Sequence, residues 1–493
     1  MKTINHLIIK NKIKSGIGFL MIIILSLSTS CEKYLEVEPT NVLAIKTYDD
    51  VKALMGSYLK GFVTMNHTLA GTTIPYKNNT AKMVFQFYSD DLDYERYLTN
   101  PFGRNNRAIF NNSLNWQEPT SPGIIWKEYY KNIGFFNTIL TELGRLKNIS
   151  QDEYNLIAGE AKVLRARYLF KLMQYFAPYQ VAELGLPINL DAEAVGNYES
   201  NRKTQAETYN IIIAELNEVL NYSTAPKDSY SIYYDKKIIN AILAQVYHYK
   251  GGSAAGVSGD YDLAIAHAKK AMEGRQLETL DNYDPMSSSS GTGFYKDQPF
   301  ALMVHVYSTP SKGLQSIIGI PMYGASTIMY STQQLYELYD EKDIRKTYFF
   351  NDKKGITKFE HPDSYGLDMN FIFRMAELHL IIAESYARKG DATEAKSWYE
   401  NFMKTRVQDY QYKGEDVLSA IMTERRKEFC FEDDMRWLDL TRTQKGWQRK
   451  ALDKNDNSMY TLADGDHRFC FPIPLEEELQ YNKIQQNPGW GNL

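Results

Sequence analysis

Apolar residues recur at three- and four-residue steps through 48–62, 123–145, 151–177 and 204–222. That period predicts amphipathic helices, and the polar or Gly/Pro-containing stretches between them predict turns. Two later stretches repeat one pattern. Ala241, Ala244 and Tyr247 share a helical face, Gly251 and Gly252 end the run, and Tyr261, Ala264, Ile265 and Ala268 open the next. Leu380, Ala383 and Tyr386 are followed in the same way by Gly390, then Ala392, Ala395 and Trp398. Small residues at these steps let two helices approach closely while an aromatic fills the adjacent hole, which is the logic of a tetratricopeptide-like pair. The repeats are not contiguous, so a few stacked pairs with insertions are expected instead of a regular solenoid.

The insertions are 66–122 and 280–365, rich in Asn, Ser, Gly, Thr and Tyr. Short apolar alternations, Met83-Val84-Phe85-Gln86-Phe87 and Ala301-Leu302-Met303-Val304, predict a few strands within long loops. Loops of this length are functional or disordered, and their aromatic content argues for function. The fold class expected is mainly α, with tetratricopeptide-like helix pairs carrying long loop and short-strand insertions.

Composition sharpens this picture at two points. With 43% apolar residues the chain can bury a large core, and its length exceeds a usual single domain. The 37 tyrosines are unusually many; tyrosine combines an apolar face with a polar tip, which suits both helix packing and the stacking of sugar rings or peptide groups at a wet surface.

The first 30 residues read as a secretion signal. Lys2, Lys10, Lys12 and Lys14 form a basic region, Ile17 to Leu27 an apolar one, and Ser28-Thr29-Ser30 the small residues before Cys31. Cys31 is therefore expected to accept a diacylglycerol and to begin a lipid-anchored mature chain, although Ser28 stands where such signals usually carry Leu and Leu27 lies one step back. The apolar run is too short to span a bilayer, which needs about 20 residues. Without the four lysines the formal charge falls from -4 to -8, and with no basic block nucleic acid is not expected as a partner. Cys430 and Cys470 remain; they form either one bridge or two buried thiols beside Phe429, Phe431, Phe469 and Phe471.

Catalytic patterns are sparse. The eight histidines are scattered, and there is no HExxH, no Gly-x-Ser-x-Gly elbow, no P-loop and no dinucleotide fingerprint. No metal site or cofactor is expected. Asp90, Asp91 and Asp93 read as solvated or capping carboxylates before they read as a glycosidase pair. In Glu424-Arg425-Arg426-Lys427-Glu428-Phe429 and on to Leu440, Glu424 and Glu428 lie one turn apart, as do Glu432 and Arg436. Intrachain ion pairs and caps, weak where exposed, are the expected role.

These residues also carry a family resemblance. Cys31-Glu32-Lys33-Tyr34-Leu35-Glu36-Val37-Glu38-Pro39, Gly159-Glu160-Ala161 with Leu164-Arg165-Ala166 and Tyr168, Leu186-Pro187-Ile188, Glu424-Arg425-Arg426 through Arg436-Trp437-Leu438-Asp439-Leu440, and Phe471-Pro472-Ile473-Pro474 with Gln486-Asn487-Pro488-Gly489-Trp490 stand in an order that resembles the SusD/RagB family of Bacteroidetes outer-membrane lipoproteins. The resemblance implies a SusD-like α-superhelical scaffold and three segments: a lipoprotein signal over 1–30, an N-terminal SusD-like region over 31–275 and a C-terminal SusD/RagB region over 276–493. It further implies a non-enzymatic, surface-exposed protein that captures oligosaccharides, or in some members peptides, and hands them to a SusC-type TonB-dependent transporter.

By position, Asp90 to Trp116 and Phe294 to Tyr330 correspond to the family's ligand-facing insertions. The expected ligand residues are Tyr94, Tyr97, Phe102, Arg104 and Trp116 in the first, with Trp116 foremost, and Tyr295, Tyr307 and Tyr323 in the second. A lipid-anchored glycoside hydrolase or esterase, and an assembly adaptor without a small ligand, are the rival readings.

Overall fold

The computed structural model describes residues 45–64, 85–97, 116, 120–193, 201–227, 230–274, 277, 303–306, 330–356, 368–371, 374–432, 434–450, 457–474 and 483–491. Cys31 and the rest of the signal, Phe102, Arg104, Tyr295, Tyr307 and Tyr323 lie outside them. Residues 1–50 and 51–493 separate into two compact units. At the end of the first, the Asp50 carboxylate accepts from the Lys46 and Thr47 amides at 3.0 and 2.9 Å, which pulls its pKa down; it stands in the first turn of helix α1, Tyr48–Thr64, whose residues from Val51 on belong to the second.

In the second unit the helices are α2 (Tyr94–Tyr97), α3 (Thr120–Arg145), α4 (Gln151–Phe176), α5 (Gln205–Leu220), α6 (Lys236–Gly251), α7 (Asp260–Met272), α8 (Gln333–Tyr336), α9 (Ile344–Phe349), α10 (Met375–Arg388), α11 (Ala392–Met403), α12 (Val417–Glu428) and α13 (Met435–Thr443). The mainly helical class is as the periodicity predicts. The four long amphipathic runs end within a few residues of the observed helices. Capping explains two sharp starts: Ser150 with Glu153, and Thr204 with Glu207, form reciprocal capping boxes at α4 and α5.

Two antiparallel ribbons complete the described elements: β1 (Met303–Val306) with β2 (Asp368–Phe371), in register Met303 to Phe371, and β3 (Trp447–Lys450) with β4 (Met459–Leu462), in register Trp447 to Leu462. The strand expected at 301–304 is thus present from Met303. The one expected at 83–87 is not: Phe85 to Phe87 are helical. Phe85, Gln86, Phe87 and Tyr88 are all buried, so that side chains leave the backbone into the core on every side, which an extended strand with one wet face cannot do. The 280–365 stretch also carries the short helices α8 and α9, each started by a side-chain cap from Thr332 or Asp343.

The repeated pattern does what its small residues allow. α6 packs on α7, α10 on α11, and α7 in turn on α10. Ala241, Ala244, Ala264, Ala268, Ala383 and Ala395 are fully buried at these seams. Tyr247 stacks on His267 at 5.6 Å, and at the turn between α6 and α7 a Cβ on Gly252 would meet the Tyr179 hydroxyl at 2.6 Å.

The motifs of the family resemblance that lie among the described residues are tied into this scaffold. A Cβ on Gly159 would sit 2.7 Å from the Tyr234 ring, and the buried Glu160 carboxylate accepts from the Ile232, Tyr233 and Tyr234 amides. Arg165 joins α3 and α5 to α4 through Asn137 at 2.7 Å and Glu215. Pro187 receives the Tyr130 hydroxyl at 2.9 Å. At the C-terminal end Gln486 pairs with both backbone groups of Ile473, Asn487 donates to Phe176 and Phe471 carbonyls, and the Trp490 indole donates to Cys470 at 2.8 Å. Trp437 stacks on Phe471 at 5.4 Å, beside Tyr88, Tyr175 and Phe176, forming the aromatic centre of the core.

Cys430 and Cys470 are both buried thiols. Burial pushes the Cys470 thiol up to about 12, with Arg202 opposing, which makes it inert. Among the described residues no helix is long and apolar enough to cross a membrane.

Candidate functional site

The two insertions leave the scaffold at one place. Leu92 and Ser331 form an antiparallel bridge, the Asp93 amide donates to the Tyr330 carbonyl at 2.8 Å, and the Thr332 amide donates to the Asp91 carbonyl at 2.8 Å. Arg96 crosses the junction: its guanidinium lies 4.0 Å above the Tyr330 ring and donates to the Lys353 carbonyl at 2.6 Å. Residues 90–97 and 330–332, far apart in sequence, therefore form a common root for both loops.

Two arginines hold this root from below. Arg436 of α13 forks onto both Asp90 oxygens at 2.6 and 2.7 Å, and Arg426 of α12 donates to Asp91 at 2.8 Å and the Asp90 carbonyl at 3.3 Å. Burial pushes the Asp90 carboxyl up, but Arg436 and then Arg426 outweigh it and hold the group below the usual range. Asp91 moves the other way, because burial and the neighbouring Asp90 outweigh Arg426. Asp93 caps the α2 turn through the Arg96 amide at 3.2 Å. The capping expectation holds for Asp93 only. Asp90 and Asp91 are not solvated, since the arginines replace the water they would otherwise need.

The acidic and basic residues of 424–440 likewise form ion pairs, but largely with other elements and in the interior. Glu432 binds Arg374, while Arg436 goes to Asp90, so the expected pairing one turn apart on the helix does not form. Glu428 is surrounded by Arg345 at 2.8 Å, Arg406 at 3.1 Å and Arg374. Glu384 of α10 accepts from Arg442 at 2.6 and 3.1 Å and from Arg388 at 2.6 Å. In both, burial raises the carboxyl and the arginines bring it well below its ordinary value. A carboxylate so held is neither a general acid nor an available base.

Of the expected ligand residues, Tyr94 and Trp116 are brought together. Arg449 of β3 lies 4.9 Å from the Tyr94 ring, 4.2 Å from Trp116 and 4.6 Å from Trp447, and donates to the Phe87 carbonyl at 2.6 Å. Trp116 is fully buried, with φ at +58°, and Tyr94 is buried with its hydroxyl donated to Phe87; burial, opposed by Arg449, pushes that hydroxyl up to about 12. Both rings are thus buried in this structure, where an open platform was expected. The guanidinium, more weakly hydrated than an ammonium, gains from aromatic faces what it loses in water. Tyr97 ends α2. Among the described residues no group of His, Cys, Asp and Glu is placed to hold a metal ion.

The described residues thus form a helical scaffold with a charge-paired junction between 90–97 and 330–332. Comparison with protein families finds two matches: a family described as starch-binding and associating with the outer membrane, over residues 33–248, and the SusD family, over residues 319–490. Between them these take in most of the chain, which belongs to the SusD family. Solved structures agree on the fold. A SusD superfamily protein from Bacteroides thetaiotaomicron VPI-5482 matches with a TM-score of 0.65 at 20% identity, covering 90% of this chain and 100% of that one. A SusD-like carbohydrate binding protein from Bacteroides vulgatus ATCC 8482 matches at 0.65 and 17%, covering 89% and 97%. Surface glycan-binding protein A from Bacteroides fluxus matches at 0.62 and 18%, covering 90% and 100%. Comparison with curated proteins finds no match.

Proposed function

We propose that this protein captures oligosaccharides at the cell surface and delivers them to a SusC-type TonB-dependent transporter, without catalysis. The observation behind the reading is the shared root, where the Asp93–Tyr330 and Thr332–Asp91 hydrogen bonds join a described residue stretch of one Tyr-rich insertion to that of the other. Membership of a sugar-binding, outer-membrane-associated family supports it. Sugar rings stacked on aromatic side chains and oriented by a few polar groups bind with the modest affinity that a protein needs if it is to release its cargo. Tyr97, Phe102, Arg104, Tyr295, Tyr307 and Tyr323 are the proposed ligand residues, with Tyr94 and Trp116 as their support. Cys31 is the proposed lipid acceptor, which anchors the chain to the outer membrane.

Titration of the mature chain against plant, fungal and host oligosaccharides and against peptide mixtures tests this. Binding to one glycan class, weakened by Tyr307→Ala or Tyr323→Ala, is expected. Binding to peptides alone would transfer the role to peptide capture, and turnover of a glycan would replace it with hydrolysis.

A further inference from the structure

Away from the two ligand-facing stretches, a cleft of about 790 Å3 opens between α11, the 404–416 segment, α12 and residues 338–342. Its volume falls in the range of small-molecule sites, about 300–1,000 Å3. None of its lining residues belongs to 90–116 or 294–330. α12 presents Ala420, Thr423, Glu424 and Lys427 to the cleft, and turns Arg426 to the insertion root from another face.

Three tyrosines make the aromatic side. Tyr399 is buried, while Tyr410 and Tyr412 are half-buried, with ring centroids 6.0 and 6.3 Å from that of Tyr399 and planes nearly perpendicular to it. The Tyr410 hydroxyl is buried beside the Tyr399 hydroxyl, with no hydrogen bond of full geometry to it, which leaves it capacity to pair with a ligand hydroxyl. Gln408 and Gln411 stand exposed at the mouth, each offering a donor and an acceptor.

The charges of the cleft are largely spent on each other. Lys342 reaches Asp409 at 3.3 Å, and Lys427 reaches Asp343 at 2.6 Å and Glu424 at 3.2 Å. A strongly charged ligand would meet no strong surplus of the opposite sign. The walls are also fixed: the Gln408 amide donates to the Lys342 carbonyl at 3.1 Å, the Ile344 amide to the Arg406 carbonyl at 3.1 Å, and Tyr412 donates to the Glu415 carbonyl. An extended peptide would seek a free strand edge, whereas helices and a loop line this cleft.

We propose that the cleft is a second binding site, taking one or two rings of a neutral oligosaccharide: an apolar ring face against the tyrosines, and ring hydroxyls to Gln408, Gln411 and the Tyr410 hydroxyl. It goes beyond the capture reading and is tested separately from it.

Hydrogen–deuterium exchange of the mature full chain, with maltoheptaose, xylohexaose or mannohexaose at millimolar concentration, tests the site; a tryptic casein digest serves as the peptide probe. Protection of residues 404–427 by at least one glycan is expected. Gln408→Ala with Gln411→Ala removes two neutral hydrogen bonds and leaves the packed tyrosines alone. The midpoint of that protection should then rise about tenfold. Absence of glycan protection at 404–427, protection by the peptide digest alone, or an unchanged midpoint in the double variant would overturn the proposal. Protection at 90–116 and 294–330 reports the capture reading independently.

Discussion

At residue 160 a carboxylate sits in the middle of a buried helix and closes a loop by accepting three successive backbone amides. Burial outweighs those hydrogen bonds and raises its pKa to about 7. An acid whose folded pKa lies above its unfolded value contributes stability below the unfolded pKa, and that contribution is lost as pH rises through the folded one. Relative to Glu160→Gln, the wild-type chain should therefore lose up to about 3 kcal/mol between roughly pH 4.5 and 7, read from denaturation midpoints at both pH values; parallel pH profiles would refute the assignment. Glu428 is the opposite case. It is shared by three buried arginines, of which Arg345 keeps Asp343 and Glu424 and Arg374 keeps Glu432 in Glu428→Ala, so a loss of about 3 kcal/mol is expected in urea denaturation. Trp116 belongs at this scale too. Removing a fully buried ring costs about 3–5 kcal/mol, so Trp116→Ala reads stability before it reads ligand binding.

At the scale of elements, the helices were legible because each long run carries both a period and a start signal. The Ser150–Glu153 and Thr204–Glu207 boxes are spelled out by residue type and spacing alone. The 83–87 alternation misled because aromatic residues buried on every side also alternate with Gln86, itself buried. The root of the insertions was not legible at all. Asp90 meets Arg436, and Asp91 meets Arg426, across more than 300 positions, and no local spacing encodes such a partner. Arg96 gives a test at this level. Its substitution by Ala removes the bridge over Tyr330 and the hydrogen bond to Lys353, both near the surface, so the melting temperature should stay within about 2 °C. Faster amide exchange at 90–97 and 330–332 is expected in the same variant, and unchanged exchange would mean the root is held without it.

Across the molecule, the family motifs that lie among the described residues are those that build the scaffold. Gly159, Glu160, Arg165, Asn487 and Trp490 tie helices, loop and C-terminal segment together. They speak for the fold and are silent on the ligand, which is why the family was readable from sequence and the ligand residues were placed only by position. Arg426 and Arg436 bridge the two levels, since a scaffold motif here anchors the loops proposed to bind. Cys31→Ala should leave the protein unattached to the outer membrane fraction, and retention there would argue against a lipid anchor.

Glycan binding by the two insertions is the proposal on which the rest depends. Isothermal titration of the mature chain against an oligosaccharide panel, repeated with Tyr307→Ala and Tyr323→Ala combined, tests it most directly. Saturable binding of at least one glycan is expected, weakened about tenfold or more in the double variant with an unchanged melting temperature. Absence of binding across the panel, or full affinity in the variant, would contradict it.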